Sequence, residues 1–271
     1  MSTAISAPPR SFWNEVFLPP SAQFRRHRAF YLVYDGAWAA VCVAALGVMD
    51  ALGHAPLLTE WALVPLLLPL ACYAQILCSV FVHNAVHQSF PRRVNRLVGE
   101  LCGAVILTRF ASWEIIHQRH HRYSDDRARD PHPLHPEYLP FLLHTVVNVE
   151  RTLQAMYFER HGDTPANRRY ERLRAYVSYA TNLLLVATWY RLLGPVAFFG
   201  LFVPASIVGF LHLVHFNWCT HDAASPTRDF KPVNLDRGLY RLGNRLLFGI
   251  YMHANHHARP GLFNPARPDR A

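Results

Sequence analysis

The sequence predicts an all-α integral membrane protein with four transmembrane helices, a re-entrant or interfacial helix and a cytoplasmic histidine-rich cap. Three observations predict it. The 271 residues are 51% hydrophobic, yet mean hydropathy is only +0.04, because long apolar runs alternate with Arg-rich and His-rich stretches. Four of those runs reach the roughly 20 residues that a bilayer-crossing helix needs. With four crossings, 26 of the 27 Lys and Arg residues fall on one side, which the positive-inside rule makes cytoplasmic.

Residues 1–29 hold Pro8, Pro9, Pro19, Pro20 and several arginines, with no apolar core of a signal peptide. They read as a tail or as an interfacial segment that lays Phe12, Trp13, Val16, Phe17 and Leu18 in the headgroup layer. Tyr31 to Leu52 is the first span. Its Ala37, Trp38, Ala39 and Ala40 suit either a substrate path or close helix packing. Trp61 to Val82 is the second. The apolar stretch Leu97 to Phe110 is short and carries Glu100 and Arg109. Ionisable groups are expensive in lipid, so this stretch is read as re-entrant or interfacial, with Glu100 turned toward protein or a metal cavity. Tyr176 to Leu193 and Val196 to Val214 form the last two spans, divided by Gly194-Pro195. The whole chain, 1–271, reads as one domain, with both termini on the cytoplasmic side together with segments 83–175 and 215–271.

The formal charge of +9 follows from this topology and from attraction to anionic headgroups. Nucleic-acid binding is a poor reading, because the charge flanks spans and no nucleic-acid motif accompanies it. Cys42, Cys72, Cys78, Cys102 and Cys219 include no CxxC pair. That argues against a disulfide framework and against thiolate-bound metal.

Histidine carries the chemistry. His83 and His87 stand in HNAVH, His117, His120 and His121 in HQRHH, and His253, His256 and His257 in HANHH. Positions i, i+3 and i+4 share a helix face, so each cluster can aim its rings at one point. Neutral imidazole suits iron, copper, nickel and zinc, and eight such groups exceed what one ion needs. All three clusters fall on the Arg-rich side, just beyond spans two and four. The glutamate of HExxH is absent: its position holds Asn84, Gln118 and Ala254 in turn. Ligand chemistry alone leaves zinc and iron both open. His27, His54, His135, His144 and His161 have no partner at ligand spacing, and His212 lies within the fourth span.

These motifs resemble the membrane fatty acid desaturase and hydroxylase superfamily, whose members combine HxxxH or HxxxxH with two HxxHH boxes. The middle box continues, as in acyl-chain desaturases, to Ser124 and then Asp130-Pro131-His132. Leu97-Val98-Gly99-Glu100 and Ser112-Trp113 look like the family's lead-in, and Tyr251-Met252-His253-Ala254-Asn255-His256-His257 is similar to its terminal box. Asn217-Trp218-Cys219-Thr220-His221 resembles the Asn-x-x-x-His that supplies a further ligand, with His215 as the alternative. The resemblance runs from about residue 31 to residue 260. It implies two iron ions held by His83, His87, His117, His120, His121, His221, His253, His256 and His257, with Asn217 touching metal through water.

Carboxylates near the boxes are candidates to orient a ligand ring from behind. Glu114 lies one turn before His117, Asp222 follows His221, and Asp130 is favoured by the family pattern. Asp125 and Asp126, close to Arg122, Arg127 and Arg129, read as solvated or Arg-paired; His132 is at most an outer partner. The implied activity is O2-dependent desaturation of a fatty acyl chain. The alternatives are hydroxylation or ketolation of an alkane, lipid or carotenoid, and a non-redox zinc protein. No rubredoxin-like CxxC pairs and no GxGxxG are present, so electrons come from an external ferredoxin or cytochrome b5-like donor. Arg168, Arg169, Arg172 and Arg174 offer it a docking face.

Overall fold

The computed structural model describes residues 28–124, 126, 128–222 and 230–267. The interfacial reading of residues 1–27, His27 and Asp125 lie outside the described residues. Nine α-helices account for most of what is described, and one isolated bridge, Asn234 to Met252, is the sole β-type pairing among the described residues.

Helix α1 is Phe30–Ala51, and α2 is Val64–Val86, entered through a 3₁₀ turn at Trp61–Leu63. Helix α2 continues beyond the apolar run that ends at Val82, so His83 sits on its last turn and His87 caps it. The Leu97–Phe110 stretch is divided between two helices. Helix α3, Arg92–Val105, ends in a tight turn with Leu107 at φ 55°, and α4, Phe110–Tyr123, departs from it. Gly99 permits that hairpin, because a Cβ there would lie 2.5 Å from the Phe110 ring. The turn is deep among the helices: Gln75, midway along α2, donates to the Val105 carbonyl, and Trp189 donates to the Ala104 carbonyl.

Helix α5 is Tyr138–His161 and α6 is Pro165–Ala197. Thr164 caps α6 by accepting from the Asn167 amide, and Pro165 takes the first helical position, where its missing N–H costs nothing. A π-helical turn, Phe198–Phe202, leads into α7, Val203–Thr220, and short helices α8, Leu239–Leu246, and α9, His253–Ala258, follow.

By length and apolarity three segments can cross a membrane: Phe30–Ala51, Trp61–Val86 and the 56-residue Pro165–Thr220. Their apolar side chains face outward: Leu66 is 75% exposed and Leu183 72%. Such an outward apolar surface is stable in lipid rather than in water. The densest apolar packing lies at one end of the long helices. Phe30, Ala111, Ile115, Met156 and Tyr157 form one cluster there, Val80, Phe216, Ile250 and Tyr251 a second, and Val82, Ala85 and Phe110 a third. Together they clamp the ends of α2, α4 and α7 against one another.

Buried charges are paired. Arg109 donates through Nε and Nη2 to Asp35 at 2.9 Å, and Arg174 is held by Glu171 at 2.9 Å and by Glu150. Arg174 is therefore enclosed and unavailable as a docking residue, whereas Arg168, Arg169 and Arg172 are exposed.

The Pro165–Thr220 segment is broken at Gly194, whose φ 75° and ψ 167° are far from helical. A Cβ at Gly194 would meet the Pro56 side chain at 2.5 Å. Around the break the chain is tied to the α1–α2 connection: Leu57 donates to the Leu193 carbonyl, and Arg191 binds Asp50 and the His54 carbonyl. Gly194→Ala should cost about 1–3 kcal/mol and lower the thermal midpoint in detergent. Gly47→Ala, in a helix and with nothing within 4 Å, should leave it unchanged or slightly raised. Equal midpoints for the two variants would contradict this account of the break.

Candidate metal centre

Helix ends deliver the histidines. The last turn and cap of α2 bring His83 and His87, the second half of α4 brings His117, His120 and His121, the end of α7 brings His221, and α9 brings the remainder. Their ligand atoms form two groups, each within 4.8 Å: His83, His87, His117, His121 and His256 in one, His120, His221, His253 and His257 in the other. Each group draws on segments far apart in the chain. The groups abut, with the rings of His121 and His257 stacked at 4.2 Å.

The nitrogens point at one another. Nε2 of His117 lies 2.9 Å from Nε2 of His87 and 3.1 Å from that of His121, which lies 3.0 Å from that of His256. In the second group, Nε2 of His253 lies 3.0 Å from that of His221 and 3.2 Å from that of His257. Each Nε2 carries either a proton or a lone pair. Hydrogen bonding along the first chain therefore leaves one proton shared between two acceptors, whereas a cation takes a lone pair from every ring. Nε2 of His83 and of His120 are buried without a hydrogen-bond partner, a costly state for a polar atom with no ligand. The residues present fit metal ions.

Two rings are oriented from behind. Nδ1 of His120 donates to Asp130 at 2.8 Å, and Nδ1 of His221 donates to the Phe230 carbonyl at 3.2 Å. Each bond fixes the tautomer that leaves Nε2 free as a ligand. Asp130 is itself held by the His132 amide at 2.8 Å. Burial pushes the imidazoles of His87, His117, His120, His221, His253 and His256 well below the ordinary histidine range, and His257 to about 4. All are neutral at pH 7, the form that binds metal.

The remaining candidates are placed as follows. Glu114 is buried and accepts from Arg96 at 3.3 Å. Glu100 faces protein, accepting from Tyr34 and Trp38 and pairing with Arg96. Asp222 follows His221 at φ 47° and makes no hydrogen bond to a histidine among the described residues. Asn217 lines two cavities against the centre, one with His83 and one with His117 and His120. His215 stands outside both groups, its ring toward Tyr138 and Trp218. Asp126 pairs with Arg129. His132 stacks on His120 at 4.2 Å and belongs to neither ligand group.

Sequence reasoning passed over Trp113 as anything but part of a lead-in. Its indole lies flat on His117, 4.5 Å between centroids and 9° between planes, and it borders three cavities. Its place four residues before His117, one turn back on the same face, was the signal available. The carbonyl of Phe230 had no such signal, because loop backbone leaves no side-chain pattern.

The chain matches the family described as fatty acid desaturase over residues 59–268, which takes in every histidine of both groups. An sn-1 oleoyl-lipid 12-desaturase of Picosynechococcus sp. is 42% identical over 53 residues, 19% of this chain and 15% of that protein. An sn-1 oleoyl-lipid 12-desaturase of Anabaena variabilis is 34% identical over 95 residues, 33% of this chain and 27% of that protein. The alignments thus span under a third of these curated relatives. No solved structure matches. With the family pattern extending over most of its length, this chain belongs to the fatty acid desaturase family.

Proposed function

We propose that the chain is an integral membrane oxidoreductase that desaturates a fatty acyl chain, using O2 and two electrons from an external donor, at two iron ions held by nine histidines. The observation that carries this reading is the two abutting groups of inward-facing imidazoles. His83, His87, His117, His121 and His256 would hold one ion, and His120, His221, His253 and His257 the other. Five imidazoles exceed the four ligands of a closed tetrahedral zinc site.

When bound, the iron pair supplies reduction of O2 and removal of hydrogen from an unactivated C–H bond. In the net reaction two chain hydrogens, two electrons, two protons and one O2 give an alkene and two waters. The protein's own part is to position the chain and exclude water. Val80, Phe216 and Ile250 line an apolar cavity beneath His83, and Ile116, Phe141 and Leu213 line another against His117 and His120. Asp130 and the Phe230 carbonyl hold two ligand rings in register, and Asn217 reaches both cavities. A third cavity, apolar and about 210 Å³, lies between α2, α6 and α7; its lining includes none of the alanines of α1.

We read the Pro165–Thr220 segment as two crossings. Straight, 56 residues would extend about 84 Å, nearly three bilayer cores. Its start meets Arg28 through Asn167, its Gly194 break meets the α1–α2 connection, and its end delivers His221 to the histidines at the end of α2. That makes four spans. The α3–turn–α4 hairpin, whose turn reaches the middle of α2, is the re-entrant element. The Arg-rich side, with the metal centre and both termini, is cytoplasmic. Arg191, the lone basic residue of the opposite side, is paired with Asp50. Exposed Arg168, Arg169 and Arg172 suit an acidic ferredoxin or cytochrome b5-like donor.

Expression in a host lacking such activity, followed by lipid mass spectrometry, tests the reading. New unsaturation in acyl chains is expected, abolished by His120→Ala and nearly unaffected by His161→Ala. New oxygen without unsaturation would make the chain a hydroxylase or ketolase, and equal losses from both variants would overturn the site.

The buried imidazoles also set a pH dependence for metal-free protein. Their folded pKa values lie below the unfolded value of about 6.5, so the unfolded state binds more protons as pH falls. Their contribution to stability is complete above about 6.5 and is lost through the window that for His257 closes at about 4. The thermal midpoint should be lower at pH 5 than at pH 7.5; an unchanged midpoint would contradict the burial of these rings.

A further inference from the structure

A cavity of about 250 Å³ lies at the turn between α3 and α4, walled by α5 and α6. Its lining mixes apolar side chains, Val146 and Val149 among them, with Arg109, Ser112, Trp113 and Asn182. Val146 is 63% exposed, which places the mouth at the surface between α5 and α6. Two lining side chains carry a buried polar atom with no hydrogen-bond partner: Nη1 of Arg109, in a residue only 6% exposed, and Oδ1 of Asn182. An ionisable group at this depth with an unused donor marks a binding site more often than a structural accident.

The charge state of the site restricts its ligand. Asp35 neutralises Arg109 by accepting from Nε and Nη2, and Glu150, also on the lining, is held by Arg174. No net positive charge remains for a phosphate or carboxylate, and the turn sits level with the middle of α2, where a charged head would be costly. One free donor and one free acceptor, in a lining that also carries apolar side chains, fit an uncharged hydroxyl, which accepts from Arg109 Nη1 and donates to Asn182 Oδ1.

The cavity also adjoins the metal centre. Trp113 forms part of its wall and of the wall of the cavity containing His117 and His120, and consecutive residues of α5 face the two: Thr145 and Asn148 one, Val146 and Val149 the other. From Arg109 to His117 the axis of α4 rises about 12 Å. A ligand seated at Arg109 is therefore separated from the His117 and His120 cavity by Trp113.

We propose that this cavity holds the uncharged, oxygen-bearing end of the lipid whose chain is oxidised at the histidine centre, with Arg109 and Asn182 as its hydrogen-bonding partners. The role of the ligand as substrate rests on the proposed function above; the binding does not. The test uses the full metal-loaded chain in detergent, with a long-chain alcohol and the hydrocarbon of equal length as probes and metal content measured on each sample. The native protein should bind the alcohol about tenfold more tightly than the hydrocarbon, its oxygen accepting from Arg109 and its O–H donating to Asn182 Oδ1. Asn182→Leu, which leaves the hydroxyl proton buried without an acceptor, should abolish most of that preference with metal content unchanged. Val146→Trp, which blocks the mouth without touching the polar atoms, should weaken both probes, and it serves if Asn182→Leu does not fold.

Equal binding of alcohol and hydrocarbon by the native protein, or a full preference surviving in Asn182→Leu, would overturn the proposal while leaving the metal centre intact. Selective alcohol binding by a chain that held no iron would support the site and remove the oxidising centre instead.

Discussion

The structure depends on a repulsive constraint: nine imidazoles face one another in a space from which water is largely excluded. Desolvation holds them neutral, and their remaining N–H groups are too few to satisfy every facing lone pair. Nothing in the surrounding apolar packing relieves this. Under the proposed function, a cation at each group would relieve it. The rest of the fold can be understood as the means of holding these rings together against that repulsion.

The means are local and apolar. Three small hydrophobic clusters sit where α2, α4, α5 and α7 converge, on the histidine end of the bundle, whereas the outer flanks leave their leucines and valines to lipid. Paired charges, Arg109 with Asp35 and Arg174 with two glutamates, fix the helices laterally where hydrocarbon packing alone would be unspecific; breaking either pair would leave an isolated buried charge. Rigidity at the centre thus comes in part from the same helices that are long and apolar enough to cross a membrane.

Much of this was legible in the sequence because both signals are periodic. Apolar runs of span length show the long helices, and HxxHH shows which helix faces carry ligands. What was not legible is what periodicity cannot encode. The Leu97–Phe110 stretch reads as one apolar run, but the pairing of Gly99 with Phe110 folds it into two helices. Arg174 reads as part of a docking face and is enclosed, because Glu150 and Glu171 pair with it.

X-ray absorption at the iron edge of the purified, iron-loaded chain tests the central claim most directly. A first shell made of imidazole nitrogen and oxygen without sulfur, from about two irons per chain given the two groups of ligands, is the result expected. Sulfur in the first shell, a single iron, or iron that fails to bind while zinc does, would contradict it.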